Sequence, residues 1–384
     1  MADRVAIVGV RQSSFEAEKK SQHITELVYE VVSGLHSDLR TDPGQVDTIV
    51  SCSQDFIDGR TISNRTIPEV EGAYLKSEAK VAGDGAQAVF FGLIRILSGK
   101  YRTCLVLAHA KMSEGSPQVI ANAQFDPFYQ QALGLDELNT AALQARRYLY
   151  RYKLNESLPA AAAAKALTLA LKNPLAFRGR ETTPAEVLAS PVLASPIREL
   201  EAFAPADGCA ALLLAHESVA ARFTDRPVWI AGAGQAVDAY YLGDRELSEV
   251  KALQAAAKKA YKMAGIKEPA KELNLAEVTD FYSYQELMWM EGLGLCGRGK
   301  AGELLSSGRT ALEGELPVNP SGGVLGGNPL CVAGLARVIE CFLQIRGQAG
   351  AHQLPRPAKR AVAQGCYGPA GQSQCVIVLG SEKN

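Results

Sequence analysis

One pattern occurs twice in this chain and constrains its fold more than any other feature. Val5-Ala6-Ile7-Val8-Gly9-Val10 and Val228-Trp229-Ile230-Ala231-Gly232-Ala233 are short apolar runs that read as buried strands. Each leads through a loop into a long helical stretch, about 24–39 in the first half and 248–264 in the second. Each half then closes on another apolar strand, 209–214 after Asp207-Gly208 and 375–380 after Gly371. A repeated strand–helix–strand unit predicts an α/β chain of two similar lobes, about 1–225 and 226–384. The length of 384 residues agrees, being too great for one ordinary domain.

A polar and helical insertion, about 113–196, interrupts the first lobe. It holds a helix over 140–151, with Arg146 and Arg147, and the alanine run 160–164 leading into 165–171. Asn173-Pro174 ends that helix, because proline lacks the N–H donor and disfavours αR in the residue before it. The net charge is −1, so no long-range field favours nucleic acid or an anionic membrane. No run approaches the roughly 18–20 apolar residues needed to span a bilayer. The apolar stretch 5–10 is too short for a signal sequence, and a cytoplasmic protein is expected. The eight cysteines form no C-x-x-C pair. They read as small buried apolar residues and not as disulfides or metal ligands, so no metal is expected.

Val81-Ala82-Gly83-Asp84-Gly85-Ala86-Gln87-Ala88 precedes an apolar helical run over 89–97, which Ser98-Gly99 stops before a strand at 103–108. Asn319-Pro320-Ser321-Gly322-Gly323 is followed by Gly326-Gly327-Asn328-Pro329-Leu330 and a helix over 334–346, ending Gln344-Ile345-Arg346-Gly347. These segments resemble the thiolase superfamily, its sterol-carrier-protein-type thiolase-like and lipid-transfer-protein aldolase-like members above all. There the pattern is Cys-Ala-Ser-Gly, helix, Ser-Gly and strand, and later Asn-Pro-Ser-Gly-Gly and Gly-His-Pro. The resemblance runs over nearly the whole chain. It implies two βαβαβαββ lobes in an α-β-α-β-α layering, with the insertion as a helical loop domain over a coenzyme A thioester. Coenzyme A is then a substrate handle, with no bound cofactor, and Ser321, Gly322 and Gly323 are the binding residues implied. Arg146, Arg147 and Lys165 are basic residues of the loop domain that could meet it.

The departures fall on the chemistry. Counting back from Ser98-Gly99 and from Gly85 puts the family's nucleophilic cysteine at Ala82, whose methyl cannot carry an acyl chain. The Gly-His-Pro histidine is Asn328, which donates a hydrogen bond but takes no proton near neutral pH. The family's His-Asp-Cys-Phe segment is Thr279-Asp280-Phe281-Tyr282. The Cys-x-Gly loop is Gly365-Cys366-Tyr367-Gly368, with Cys366 where many thiolases keep an acid/base cysteine.

Tyrosines gather where histidine and cysteine are lost, at Tyr282, Tyr284 and Tyr367. The expected site is Tyr282, Tyr367, Asp280, Cys366 and Asn328. Asp84 reads first as a helix N-cap, with a role in the pocket as the alternative. The chemistry that fits is retro-aldol cleavage of a β-hydroxyacyl-CoA, which needs no acyl-enzyme. Two other readings stand beside it: a non-catalytic subunit of a heteromeric complex, and a thiolase or acyltransferase using Cys366 as nucleophile. The resemblance further implies a homodimer, and as a second partner either a small OB-fold, zinc-ribbon subunit or an active thiolase subunit.

Overall fold

Nine strands join into one sheet in the computed structural model, which describes residues 3–57, 59 and 62–383. The strands are β1 (Val5–Gln12), β2 (Thr48–Cys52), β3 (Ser77–Val81), β4 (Thr103–Lys111), β5 (Val192–Ala194), β6 (Ile197–Arg198), β7 (Asp207–His216), β8 (Val228–Val237), β9 (Leu275–Glu277), β10 (Arg360–Tyr367) and β11 (Ser373–Gly380). Their order is β3-β2-β4-β7-β1-β8-β11-β10-β9, and β5 and β6 form a separate hairpin. The order mirrors itself about the β1–β8 seam, where Ala6 pairs with Trp229 and Ile7 with Val228. A counterpart to β3 survives in the second half only as the parallel bridge of Ala276 to Val318.

The sheet folds around two central helices, Gly85–Leu97 and Ala333–Arg346. They pack on each other and on strands from both halves. Helix Ile24–Leu39 covers the outer face of β1, β4 and β7, and Lys251–Ala264 covers β8 and β11. The layering is therefore α-β-α-β-α, as the resemblance implies. Lys251–Ala264 approaches closely because β8 carries Gly232 and Gly234 beneath it. A Cβ at either would stand 2.1 Å from a carbonyl oxygen of that helix, of Ala260 or Ala256.

The helix expected over 24–39 is found at Ile24–Leu39, and those near 140–151 and 334–346 at Glu137–Tyr152 and Ala333–Arg346. The alanine run lies in Ser157–Ala170, which packs on the buried helix Ser283–Gly292. No helix among the described residues is long and apolar enough to cross a membrane.

Helix Gly85–Leu97 buries Ala86, Val89, Leu93 and Ile96, a helical period facing the core. Its other face is apolar as well, yet Phe91, Ile94 and Leu97 are exposed. It begins at Asp84, whose carboxylate accepts the Ala86 N–H at 2.9 Å. The same carboxylate accepts the Gly334 N–H at 2.8 Å, at the start of the second central helix. One buried side chain thus satisfies donors at two helix N-termini. Gly334 and Gly365 make the room, since a Cβ at either would fall within 2.0 Å of Asp84 Oδ1.

Candidate active site

A cleft of about 620 Å³, open to solvent at its mouth, lies beyond the carboxyl ends of β4 and β10. Ligand crevices of open α/β sheets sit at such ends. Ile57, Met112, Ile120, Phe203, Phe281 and Leu330 make its apolar walls. Gln124, Glu137, Gln285, Cys366 and Tyr367 are the polar side chains among the residues that line it. Of the five site residues expected from sequence, Cys366 and Tyr367 line this cleft. Tyr282, Asp280 and Asn328 do not, nor do Ser321, Gly322 and Gly323.

Cys366 is held by a chain of side chains. The Thr279 hydroxyl lies 3.1 Å from Cys366 Sγ and 3.0 Å from Gln364 Oε1. Gln364 donates to Gln374 at 2.7 Å, and Gln374 to the Gly371 carbonyl at 2.9 Å. Arg245 donates to the carbonyls of Pro369 and Ala370, both at 2.8 Å, pinning the loop where Ala370 takes φ +50°. Burial pushes the Cys366 thiol up to about 12, against the lowering hydrogen bond from Thr279. Burial likewise pushes the Tyr367 phenol up to about 12, against a lowering bond with Gln54. Both groups are proton donors at neutral pH, and neither is an anion.

Tyr282 is buried one layer behind. Its ring meets Phe203 edge-on at 6.0 Å and stacks on Tyr284 at 6.5 Å. Burial holds both phenols well above their ordinary range. The Tyr284 hydroxyl donates to Gln144 at 2.8 Å.

The Asn-Pro-Ser-Gly-Gly loop is tied inward by a buried polar network. Arg337 donates to Glu277 at 2.6 Å, to the Ser321 hydroxyl at 2.8 Å and to Asn328 Oδ1 at 3.1 Å. Asn328 Nδ2 donates to the Gly323 carbonyl at 3.1 Å, so both ends of this amide already hold protein partners. Ser321 also donates to Glu277 at 2.9 Å. Asp280 accepts the Val324 N–H at 2.6 Å, and its carboxyl is held well above the usual range by burial and by Glu286. Lys165 stands in the same region, 2.7 Å from Glu286 and 2.9 Å from the Val318 carbonyl. Arg146 and Arg147 point elsewhere, to Ser195 and Glu246.

Glu137 was not singled out by sequence. It is the first residue of helix Glu137–Tyr152 in the insertion and stands half-buried in the cleft wall. Burial and neighbouring Asp136 push its carboxyl up to about 7, with Arg245 opposing. A polar first-turn residue carries no sequence signal for such a place, because Asp136-Glu137 reads as an ordinary capped helix start.

Comparison with known proteins agrees with this architecture. Residues 234–381 match the family model described as thiolase C-terminal domain-like. An acetyl-CoA acetyltransferase of Methanothermobacter thermautotrophicus is 27% identical over 362 residues, covering 91% of this chain and 93% of the relative. One from Methanocaldococcus jannaschii is 32% identical over 270 residues, 68% of each chain. The solved structure of the Ltp2-ChsH2(DUF35) aldolase superposes with a TM-score of 0.83 at 19% identity, covering 98% of this chain and 97% of that one. With a relative 32% identical across two thirds of its length, and the five-layered fold to match, the chain belongs to the thiolase superfamily.

Proposed function

We propose that the protein is an acyl-CoA carbon–carbon lyase that cleaves a β-hydroxyacyl-CoA by retro-aldol chemistry, with no acyl-enzyme. One observation carries the reading: the cleft is lined by Tyr367 and by Cys366, whose thiol is hydrogen-bonded to the Thr279 hydroxyl, and no histidine is among the described residues that line it to draw off the thiol proton. Ala82, at the position counted for the family's nucleophile, offers only a methyl. Thioester exchange through an enzyme-bound acyl group needs an ionisable thiol, whereas retro-aldol cleavage needs donors to the thioester enolate and a base for the hydroxyl. The fold-level likeness to a solved aldolase supports the same class, as an analogy. The apolar walls suit a substrate whose β-carbon carries an apolar substituent.

Tyr367 is the donor assigned to the enolate, and the loop pinned by Arg245 keeps it in place. Tyr367→Phe is expected to lower cleavage of β-hydroxyacyl-CoA at least about 100-fold, the scale of a lost general acid. Tyr282→Phe is assayed beside it, on protein purified with whatever accompanies it. Wild-type activity should survive iodoacetamide at pH 7.5, with Cys366 unmodified by mass spectrometry. Rapid loss of activity with label on Cys366 would replace the lyase by a cysteine acyltransferase. A wild type inert toward a broad acyl-CoA panel would leave a binding or scaffolding subunit.

The same reading makes the active unit a homodimer joined along β3. That strand is the sheet's outer edge, and exposed edges invite pairing. The exposed apolar face of Phe91, Ile94 and Leu97 lies on a helix that packs against it. Sedimentation at twice the chain mass of 41.0 kDa is the expected result, and a monomer at micromolar concentration would reject the pairing. A small OB-fold, zinc-ribbon subunit is the heteromeric partner proposed, since the similar aldolase is itself named for two components. The two-lobe division near residue 225 and a cytoplasmic location belong to this reading too.

A further inference from the structure

Retro-aldol cleavage starts with removal of a proton from the β-hydroxyl, and neither Tyr367 nor Cys366 can accept it while protonated. Gln124 and Gln285 are neutral amides with no basic atom. Among the described residues that line the cleft, Glu137 supplies the one carboxyl group. The other buried acids of this region are engaged elsewhere. Asp84 holds backbone amides of two helices, Asp280 takes the Val324 N–H, and Glu286 is paired with Lys165.

Glu137 is also poised by its place in the chain. Asp136 spends its carboxylate on the Asn139 N–H at 2.7 Å as the helix cap. The next residue is thereby fixed at the first turn, in the wall of the cleft. Its charge is felt by the groups that the chemistry would use, Cys366 and Tyr367, and by Tyr282 and Tyr284 behind them.

We propose that Glu137 is the general base of the cleft, accepting the β-hydroxyl proton as the Cα–Cβ bond of the acyl-CoA breaks. The inference rests on the retro-aldol reading. The electron pair of the O–H bond becomes the second bond of a released aldehyde or ketone. The pair of the Cα–Cβ bond moves into the thioester as an enolate. Tyr367 protonates the α-carbon, and the proton on Glu137 returns to the phenolate directly or through water. One β-hydroxyacyl-CoA gives one carbonyl compound and one shorter acyl-CoA, with no oxidant and no water consumed.

Burial raises the proton affinity of Glu137, the adjoining N-cap Asp136 raises it further, and Arg245 opposes them. Raised to about 7, it is protonated and idle in acid and becomes a base as the pH rises through neutrality. The test is kcat/KM against pH from 5 to 9, on a β-hydroxyacyl-CoA with an apolar β-substituent, for wild type, Glu137→Gln and Glu137→Asp. Formation of the shorter acyl-CoA is the readout, and thermal melts report folding. Wild type should rise about tenfold per pH unit below about pH 7 and level off above it. Glu137→Gln should fall at least about 100-fold and lose the acid limb. Glu137→Asp should recover part of the rate together with a limb. Glu137→Gln within about fivefold of wild type, or with the same acid limb, overturns the assignment and leaves the lyase reading standing. A wild type that cleaves no β-hydroxyacyl-CoA overturns both.

Discussion

Arg337→Met should lower the free energy of unfolding by about 3–5 kcal/mol, the cost of leaving a buried charge without its partner. Arg337 and Glu277 are both almost wholly buried, 2.6 Å apart, on the second central helix and at the end of β9. The guanidinium also holds Ser321 and Asn328, so its loss removes two of the bonds that tie the Asn-Pro-Ser-Gly-Gly loop inward. Methionine replaces the apolar stem and none of these bonds. Burial already raises the Glu277 carboxyl, and without the cation it must take a proton or stay uncompensated. Glu277→Gln/Arg337→Met removes that charge, so the double variant should be more stable than Arg337→Met alone. Urea denaturation of the three proteins reads both effects. A loss under about 1 kcal/mol in Arg337→Met, or a double variant as unstable as the sum of the singles, would show that the pair is not what anchors this loop.

The fold was largely legible because its signals are local and periodic. The apolar strands, the helix over 24–39 and the glycine stop at Ser98-Gly99 each follow from short-range chemistry. Boundaries moved where capping decided them. The central helix begins at Gly85 and not at Val89, because Asp84 accepts the Ala86 N–H. What local patterns do not carry is which side of a layer a residue faces. Asp280, Asn328 and Tyr282 sit in segments that resemble the family's catalytic loops, yet their polar groups or rings are packed inside the protein. For Asn328 the reason is Arg337, nine positions on along the next helix, which no motif couples to it. Glu137 reaches the cleft wall with no motif to mark it. Its position comes from the insertion packing on the loop after β10, where Gln144 donates to the Ala370 carbonyl, a long-range event with no repeat or spacing behind it. Cys366 and Tyr367 do line the cleft, in a loop whose pattern is short and whole and whose glycines are local signals.

Near pH 4, Asp84→Ala should cost about 2–5 kcal/mol, combining a lost N-cap with a buried N–H left unpaired at Gly334. Most N-caps serve one helix, but this carboxylate joins the two helices around which the sheet folds. The space it fills is bounded by Gly334 and Gly365, so alanine also leaves a gap at the centre of the molecule. Asp84→Asn keeps one acceptor oxygen and turns an N–H toward the second donor, and should recover no more than about half the loss. Gly334→Ala should do comparable damage with Asp84 intact, because its Cβ would stand 1.8 Å from Oδ1. Burial outweighs the backbone bonds and raises the folded carboxyl from 3.8 to about 7, which sets the pH dependence. For a carboxyl raised on folding, the stabilising contribution is full below the unfolded value and is lost as pH climbs through the folded one. The gap between wild type and Asp84→Ala should therefore be widest near pH 4 and narrow toward pH 7, in urea titrations of both proteins across that range. A gap that widens with pH would mean that the buried group is held as an anion by the two helix termini. A gap below about 1 kcal/mol at every pH would mean that the central helices hold together without it.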